Sequence, residues 1–529
     1  VAAWWQEAVV YQIYPRSFQD TTGDGVGDLP GILSRVDYLS ETLGVDAVWL
    51  SPFYPSPMED FGYDVSDYCN VHPMFGTLDD FDRLIDALHA RGMRLIVDFV
   101  PNHSSDQHPW FLASRSSRDD PKRDWYVWRD GRPDGSPPSN WRAVFGGPAW
   151  DFDEVTGQWY LHSFLPQQPD LDWRNPEVEA AMHDALRFWL DRGVDGFRID
   201  VAHFIMKDPE FRDNPLAPAL SGEAPFKDMG AYDDQAHVHD KGHPDVLGAF
   251  RGIRSVLDEY DDRFSVGEIH EFDPLRWAAY YDQGAGLHMP FNFFLIATPW
   301  TADGVRSRVD AVDGAVPSHA WPNHVLGNHD EQRLASRFGP ESARAAAVLL
   351  LTLRGTPTLY YGDELGMGEV AVPPEQEQDP WGIRVPGMSR DGCRTPMAWD
   401  ASPNAGFSST GAATWLPLHD DWRESNVEAE LADPASVLNL YRTLLKMRKE
   451  SAALRLGTYV PLDGVPDGCF AYVRKIDGES VAVLISFSEH EMDVPLHPGT
   501  VLVSSGMDRM GEAVGGSVRL RAREALVIS

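Results

Sequence analysis

The sequence predicts an α/β fold, a (β/α)8 TIM barrel with an inserted subdomain after strand three and a C-terminal antiparallel β-domain. Three observations predict it. Short β-branched or aromatic runs alternate with longer stretches of helical period, a rhythm that implies parallel pairing through right-handed crossovers. Eight such runs can be assigned, the number that closes a sheet on itself. No Gly-x-Gly-x-x-Gly follows a strand, which weighs against an open doubly wound sheet.

The elements follow in order. Val9–Ile13 and Ala47–Leu50 read as the first two strands. Asp79–Arg91 reads as a helix, with Asp79 and Asp80 favourably charging its first turn and Gly92 ending it. Leu95–Val100 is the third strand. The rhythm then breaks: the stretch to Pro176 is rich in Trp, Pro, Gly and Asp, and is read as an inserted subdomain over residues 103–176. Helix Glu177–Arg192, strand Gly196–Asp200, helix Asp245–Tyr260 and strand Phe264–Glu268 resume the alternation. Met289–Asn292 is the weakest strand. Val325–Leu326, leading to Asp330, helix Ser342–Leu353 and strand Thr358–Tyr361 complete the barrel, assigned to residues 1–102 and 177–450. A Pro-rich loop over 363–425 follows strand eight. Helix Ser436–Lys449 leads into short strands only, Phe470–Lys475, Val481–Phe487, Val501–Ser504 and Ala525–Ile528, read as a β-domain over 451–529.

Composition narrows the function. The 529 residues carry 81 acidic and 45 basic side chains, a net charge of −36. Such a surface repels phosphate backbones and anionic lipid, so neither nucleic acid nor membrane is an expected partner. Three cysteines, Cys69, Cys393 and Cys469, form no disulfide framework and suit a reducing compartment. The longest apolar run, Ala345–Leu351, is too short to span a bilayer. The expectation is a cytoplasmic monomer or homodimer with no organic cofactor.

The chemistry lies at the strand ends, which form the functional face of a parallel barrel. Strand four ends in Asp200, strand five in Glu268, strand seven leads to Asn328-His329-Asp330, and strand three runs Asp98 to Asn102-His103. One such ending is an ordinary solvated or capping residue. Four together place carboxylates where they repel and shift one another, so that one stays protonated beside an ionised neighbour. Glycoside cleavage requires that pairing.

At these residues the sequence resembles the α-amylase-type glycoside hydrolases, and within them the bacterial α-glucosidase and oligo-1,6-glucosidase group. Trp5 to Phe18 (through Tyr11-Gln12-Ile13-Tyr14-Pro15-Arg16) looks like that group's first strand, and Phe61-Gly62-Tyr63-Asp64 like its second-loop signature. Gln168-Pro169-Asp170-Leu171-Asp172 is similar to its Gln-Pro-Asp-Leu-Asn motif, with Asp172 replacing Asn. The resemblance covers nearly the whole chain. It implies Asp200 as nucleophile, Glu268 as general acid then base, and Asp330 as the group that holds ring hydroxyls and stabilises the transition state. It implies that Arg198 pairs with Asp200 and keeps it ionised, that His103 and His329 bind hydroxyls, that Tyr63 stacks on the ring, and that Phe145 closes over it. Retention of configuration follows, with the Asp200 and Glu268 carboxyls about 5–5.5 Å apart.

The resemblance further implies that Asp60 pairs with Arg394 to close the cleft beyond one sugar, making the enzyme exo-acting on α-glucosides. Val201, following the nucleophile, is associated in this group with α-1,6 linkages, although Ala202-His203-Phe204 departs from the oligo-1,6-glucosidase pattern. Asp20, Thr22, Asp24, the Val26 carbonyl and Asp28 place oxygens at alternate positions, similar to the start of an EF-hand loop, but Gly31 stands where the bidentate Glu belongs. Similar glucosidases carry Ca²⁺ or Mg²⁺ there, in a structural role. His237, His239 and His243 lack a completing ligand and are read as a loop at the pocket rim. Two other readings are a transglucosylase or sugar isomerase with the same site, and a non-catalytic, transporter-associated relative. The Arg-Leu-Asp-Arg-Asp motif of the sucrose isomerases is absent, and all three carboxylates are present, which disfavours the isomerase and the non-catalytic readings.

Overall fold

The computed structural model describes residues 2–218 and 227–529. Eight parallel strands build its centre: β1 Val10–Ile13, β2 Ala47–Leu50, β3 Arg94–Phe99, β4 Gly196–Ile199, β5 Phe264–Gly267, β6 Met289–Pro290, β7 Asn323–Val325 and β8 Thr356–Tyr360. They succeed one another around a nearly closed barrel, with β8 returning beside β1 so that Thr358 lies opposite Val10. Strands covered on both faces lose their alternation, and β1, β2 and β8 are buried at every position.

One seam of the barrel, between β6 and β7, has no ladder. Pro290 lacks an N–H and stops β6 after two residues, where the sequence had suggested four. Two buried asparagines bridge the gap. Asn323 Oδ1 accepts the Asn292 N–H at 2.9 Å, Asn292 Nδ2 donates to the Asn323 carbonyl at 2.9 Å, and Asn323 Nδ2 donates to the Pro290 carbonyl at 2.6 Å.

The four predicted crossover helices form at Leu78–His89, Pro176–Asp191, Val246–Leu257 and Pro340–Thr352. Thr77 opens the first through a reciprocal cap with Asp80, and Phe81, Leu84, Ile85 and Leu88 turn inward. A further helix, Ala302–Ala315, was not anticipated. It carries Val305, Val309 and Val312 as a buried stripe and Thr301 as N-cap, but Gly304 and Gly314 near its ends weaken the pattern.

Between β3 and β4 lies a three-stranded antiparallel sheet of Trp128–Arg129, Trp150–Asp153 and Gln158–Leu161, with a short helix at Pro109–Ser116. Trp141, Trp150, Val127 and Leu161 give it a small core of its own. After β8, residues 363–425 hold only single helical turns.

The C-terminal strands form a six-stranded antiparallel sheet and a separate two-stranded one. Phe470, Tyr472, Val483 and Ile485 join the barrel's own apolar core. Arg448 donates to the Leu351 carbonyl at 2.9 Å and the Gly355 carbonyl at 2.6 Å, and Arg474 to the Thr352 carbonyl at 2.6 Å. Tyr472 and Thr352 share a hydroxyl hydrogen bond at 2.6 Å. The chain entering β8 is thereby gripped from the C-terminal side. Among the described residues no helix is long and apolar enough to cross a membrane.

Candidate active site

The ladder delivers two carboxylates just beyond the strand ends. The Asp200 N–H donates to the Phe99 carbonyl at 2.8 Å and the Glu268 N–H to the Ile199 carbonyl at 2.9 Å. Arg198 precedes Asp200 by two residues and so shares its face of β4. It is 1% exposed. Its Nη1 donates to Asp200 Oδ1 and to Asp98 Oδ1, and its Nη2 to Glu268 Oε2, each at 2.7 Å. The expected Arg198–Asp200 pair is present, but Arg198 serves three carboxylates rather than one and so does not keep Asp200 ionised against its burial, as the sequence implied.

One guanidinium cannot neutralise three buried carboxylates, so protons must make up part of the balance. Burial, opposed by Arg198, pushes Asp98 up to about 6. Burial also raises Asp200 well above the ordinary carboxylate range, against Arg198 and with the repulsion of Glu268 added. For Glu268 the same burial is outweighed by the Arg198 charge and the hydrogen bond from His270, which hold it below that range. Asp200 and Glu268 titrate as a pair, one member protonated while the other is ionised, an arrangement suited to acid–base work in one cleft.

Val201 follows Asp200 with φ +35°, a left-handed conformation that a β-branched residue adopts only under constraint. The turn aims its N–H at Glu268 Oε2, 2.9 Å away. Its side chain packs with Phe145, Phe164 and Phe204.

Asp330 sits on the loop after β7, where Asn328 Oδ1 accepts its N–H at 2.8 Å. Arg390 Nη1 reaches its Oδ1 at 3.0 Å and Arg394 Nη2 at 3.2 Å. Burial raises this carboxyl, but His329, Arg390 and Arg394 outweigh it and leave Asp330 well below the usual range. His329 is itself pushed down to about 3 by burial, so its ring is neutral at pH 7. Its Nδ1 meets Gln12 Nε2 at 2.8 Å and its Nε2 the Tyr63 hydroxyl at 2.7 Å. The Tyr63 ring lies parallel to that of His329, centroids 5.4 Å apart. Across from them, burial pushes His103 down to about 4. It lies 3.1 Å from the Tyr63 carbonyl and 3.3 Å from Gln168.

The arginine that pairs with Asp60 is not the expected one. Arg394 reaches Asp330 and, through Nε, the His329 carbonyl at 2.8 Å, but not Asp60. Arg390 takes that place, donating Nη2 to Asp60 Oδ1 at 2.9 Å. The reason is a buried partner: Asp379 receives Arg390 Nε at 2.8 Å, Nη2 at 2.7 Å and its N–H at 2.7 Å, which turns the fork toward Asp60 and Asp330. Gln168 Nε2 holds the other Asp60 oxygen at 3.1 Å. Asp64 shapes the loop, accepting the N–H groups of Glu59 and Asp60 at 2.9 and 3.0 Å. Phe145 lies against Trp381, centroids 5.1 Å apart, with Arg390 4.9 Å over its ring. Sequence reading missed Arg390, Asp379 and His270, and placed Asp98 at a strand ending without its bond to Arg198. Arg390 lies only four residues before Arg394, so the loop offered two candidates.

In the 20–28 loop, Asp20 accepts N–H groups from Thr22, Gly23 and Gly25, and Asp28 from Thr21 and Gly31. The repulsion that suggested a cation is thus partly offset by the loop's own donors. Asp24 accepts the Val26 N–H through Oδ1, and its other oxygen and the Val26 carbonyl accept nothing among the described residues. Among the described residues no three Asp, Glu, His or Cys side chains gather as a metal-ligating group. The site residues nearest that chemistry are the alternate oxygens the sequence named, without a preformed cage. His237 is engaged by Asp240 at 2.6 Å and stacks on Tyr232, which fits a structured loop.

Comparison with known proteins is consistent along the chain. The family model for the alpha-amylase catalytic domain matches residues 12–457. A probable alpha-glucosidase of Rhizobium meliloti (strain 1021) is 44% identical over 500 residues, 92% of this chain and 90% of that one. An oligo-1,6-glucosidase of Parageobacillus thermoglucosidasius is 39% identical, covering 92% of this chain and 91% of that one. The crystal structure of the alpha-glucosyl transfer enzyme XgtA superposes with a TM-score of 0.94 at 42% identity, over 100% of this chain and 99% of that one. The trehalulose synthase MutB of Pseudomonas mesoacidophila MX-45 does so with a TM-score of 0.89 at 37% identity, over 100% and 99%.

Proposed function

This chain belongs to the alpha-amylase family of glycoside hydrolases, and we propose that it is an exo-acting, retaining α-glucosidase on short α-glucosides. The observation that carries the reading is the convergence of Asp200 and Glu268 on one buried guanidinium, Arg198. In this reading the one proton the Asp200–Glu268 pair shares lies on Asp200 in the empty pocket and passes to Glu268 when sugar binds, so that Asp200 attacks the anomeric carbon while Glu268 protonates the departing oxygen, and Glu268 then deprotonates the water that releases the sugar. Asp330, ionised between Arg390 and Arg394, holds ring hydroxyls and stabilises the developing positive charge. His103 and His329, both neutral, bind hydroxyls beside it. In this reading the Asp60–Arg390 pair, 2.9 Å apart, closes the far end of the pocket behind one glucose and makes the action exo.

The test is parallel hydrolysis of maltose, isomaltose, sucrose and trehalose. Glucose release from maltose or isomaltose, abolished in Asp200→Asn, is the expected result; no release from any of the four refutes the reading. Val201 gives α-1,6 bonds a modest edge. A second reading, glucosyl transfer to an acceptor sugar, draws support from the likeness to XgtA, whose name describes alpha-glucosyl transfer. Oligosaccharide products at high maltose concentration distinguish it from hydrolysis.

The proposal includes a structural Ca²⁺ or Mg²⁺ in the loop of Asp20, Thr22, Asp24, Val26 and Asp28, supported by their spacing. It also includes a cytoplasmic location, supported by three cysteines that form no disulfide.

A further inference from the structure

The two oxygens of Glu268 have different surroundings. Oε2 accepts from Arg198 at 2.7 Å and from the Val201 N–H at 2.9 Å. Both donors are permanent, since guanidinium and peptide N–H groups do not deprotonate in proteins. A carboxyl oxygen already accepting two such bonds is a poor place for a proton. Oε1 is therefore the oxygen that carries it, and Oε1 meets His270 Nε2 at 2.8 Å.

His270 is held rather than loose. Its ring lies on Phe293, centroids 4.7 Å apart and planes 13° from parallel. His203 stands 5.9 Å away on the neighbouring loop. Glu268 is 5% exposed, whereas the His270 side chain is 40% exposed. One edge of the imidazole thus rests on the buried acid while the residue reaches solvent. Its ring nitrogen suits either state of the acid: Nε2–H donates to an ionised carboxylate, and a bare Nε2 accepts from a protonated one.

Resting on the glucosidase reading above, we propose that His270 is a positioning residue that holds the proton-bearing oxygen of Glu268 and sets the pH range over which Glu268 stays loaded. The charged and titratable groups around it are few. Glu268 and His203 face it directly, and Glu331 acts on it across the pocket while paired with Lys227 at 3.6 Å. Lys241 lies beyond His203, and the adjacent Glu271 is engaged by Arg276 at 3.2 Å. The hydrogen bond and charge of His270 favour the ionised acid. Removing them lets Glu268 hold its proton to higher pH.

The test is the pH profile of kcat/KM for maltose in His270→Phe, which keeps the stacking on Phe293, and in His270→Gln, which keeps a donor but does not titrate. The alkaline limb moves up by about half a unit or more in both variants. The maltose rate falls about tenfold in His270→Phe and returns to within about threefold of wild type in His270→Gln, less than the roughly hundredfold at the lower end of what the acid itself contributes, because Glu268 stays in place. Loss on 4-nitrophenyl α-glucoside, whose leaving group needs no proton, is smaller. An alkaline limb unmoved in both variants overturns the proposal. Should His270→Phe fail to fold, the His270→Gln limb decides alone. Wild-type protein inactive on both substrates refutes the glucosidase reading instead, and the two failures are distinct.

Discussion

Asp60 couples to Arg390, and a double-mutant cycle can measure the link. Arg390 is 6% exposed and bonds Asp60 at 2.9 Å, Asp330 at 3.0 Å and Asp379 at 2.7 Å. Arg394 bonds Asp330 at 3.2 Å and no oxygen of Asp60. Close buried charge pairs show coupling energies of about 1.5–7 kcal/mol, and a guanidinium divided among three carboxylates belongs near the bottom of that range. A coupling of about 1.5–3 kcal/mol in transition-state stabilisation corresponds to roughly ten- to hundredfold in kcat/KM. The assay is kcat/KM on maltose and isomaltose for Asp60→Ala, Arg390→Ala and the double variant, with a parallel cycle through Arg394→Ala. The Arg390 cycle is expected to be strongly non-additive, and the Arg394 cycle, which reaches Asp60 only at longer range and through the shared network, to show a clearly smaller coupling. Arg390→Lys, which keeps the charge but loses the fork, provides a milder arm if Arg390→Ala leaves Asp379 too costly to bury. Additive effects in the Arg390 cycle, with coupling appearing at Arg394, would refute the assignment.

Three further outcomes are expected. Asp363 is buried beside Arg333 at 3.5 Å, and burial raises its carboxyl to about 7. A raised folded-state value gives a contribution that is full below about pH 4 and lost as pH rises through 7, on the order of 4 kcal/mol at most. Asp363→Asn should therefore gain melting temperature over wild type progressively between pH 4 and 7, and a constant difference would contradict this. Asn323→Ala strips the Asn292 N–H and the Pro290 carbonyl of partners, costing about 2–4 kcal/mol, so thermal scans should show a drop of several degrees. An unchanged melt would mean that the asparagine bridge is dispensable. Dialysis against EDTA should lower the melting temperature and added Ca²⁺ restore it; a melt indifferent to both leaves the loop's N–H donors as its sole support.

The barrel was legible because its signals are local and repeated. Apolar runs ending in Asp200 and Glu268 fixed both the strands and the side to which they open, since a parallel barrel gathers its strand ends at one face. Met289–Asn292 was read too long because a proline's missing N–H matters only against a neighbouring strand, which sequence does not name. Choosing Arg394 over Arg390 failed for a related reason. Both arginines lie on one irregular loop, and what separates them is Asp379, eleven residues before Arg390, whose carboxylate turns one fork and not the other. Asp98 was noted as part of a strand ending but not as a claimant on Arg198, since strand-to-strand side-chain sharing has no linear signature. His270 follows Glu268 by two residues and was visible, yet nothing in composition or period marks an imidazole as a partner rather than a surface residue.

The grip of Arg474 and Tyr472 on Thr352 means that the C-terminal sheet is no detachable passenger. A chain severed after the barrel would strip the Thr352 carbonyl and hydroxyl of their donors and lay bare the apolar floor under Phe470 and Val483. The last strand of the barrel takes its starting point from there, and the loop bearing Arg390 hangs from that strand. Heat or denaturant should therefore undo the pocket and the distant sheet in one step, and shortening the gene to a minimal barrel should yield insoluble protein.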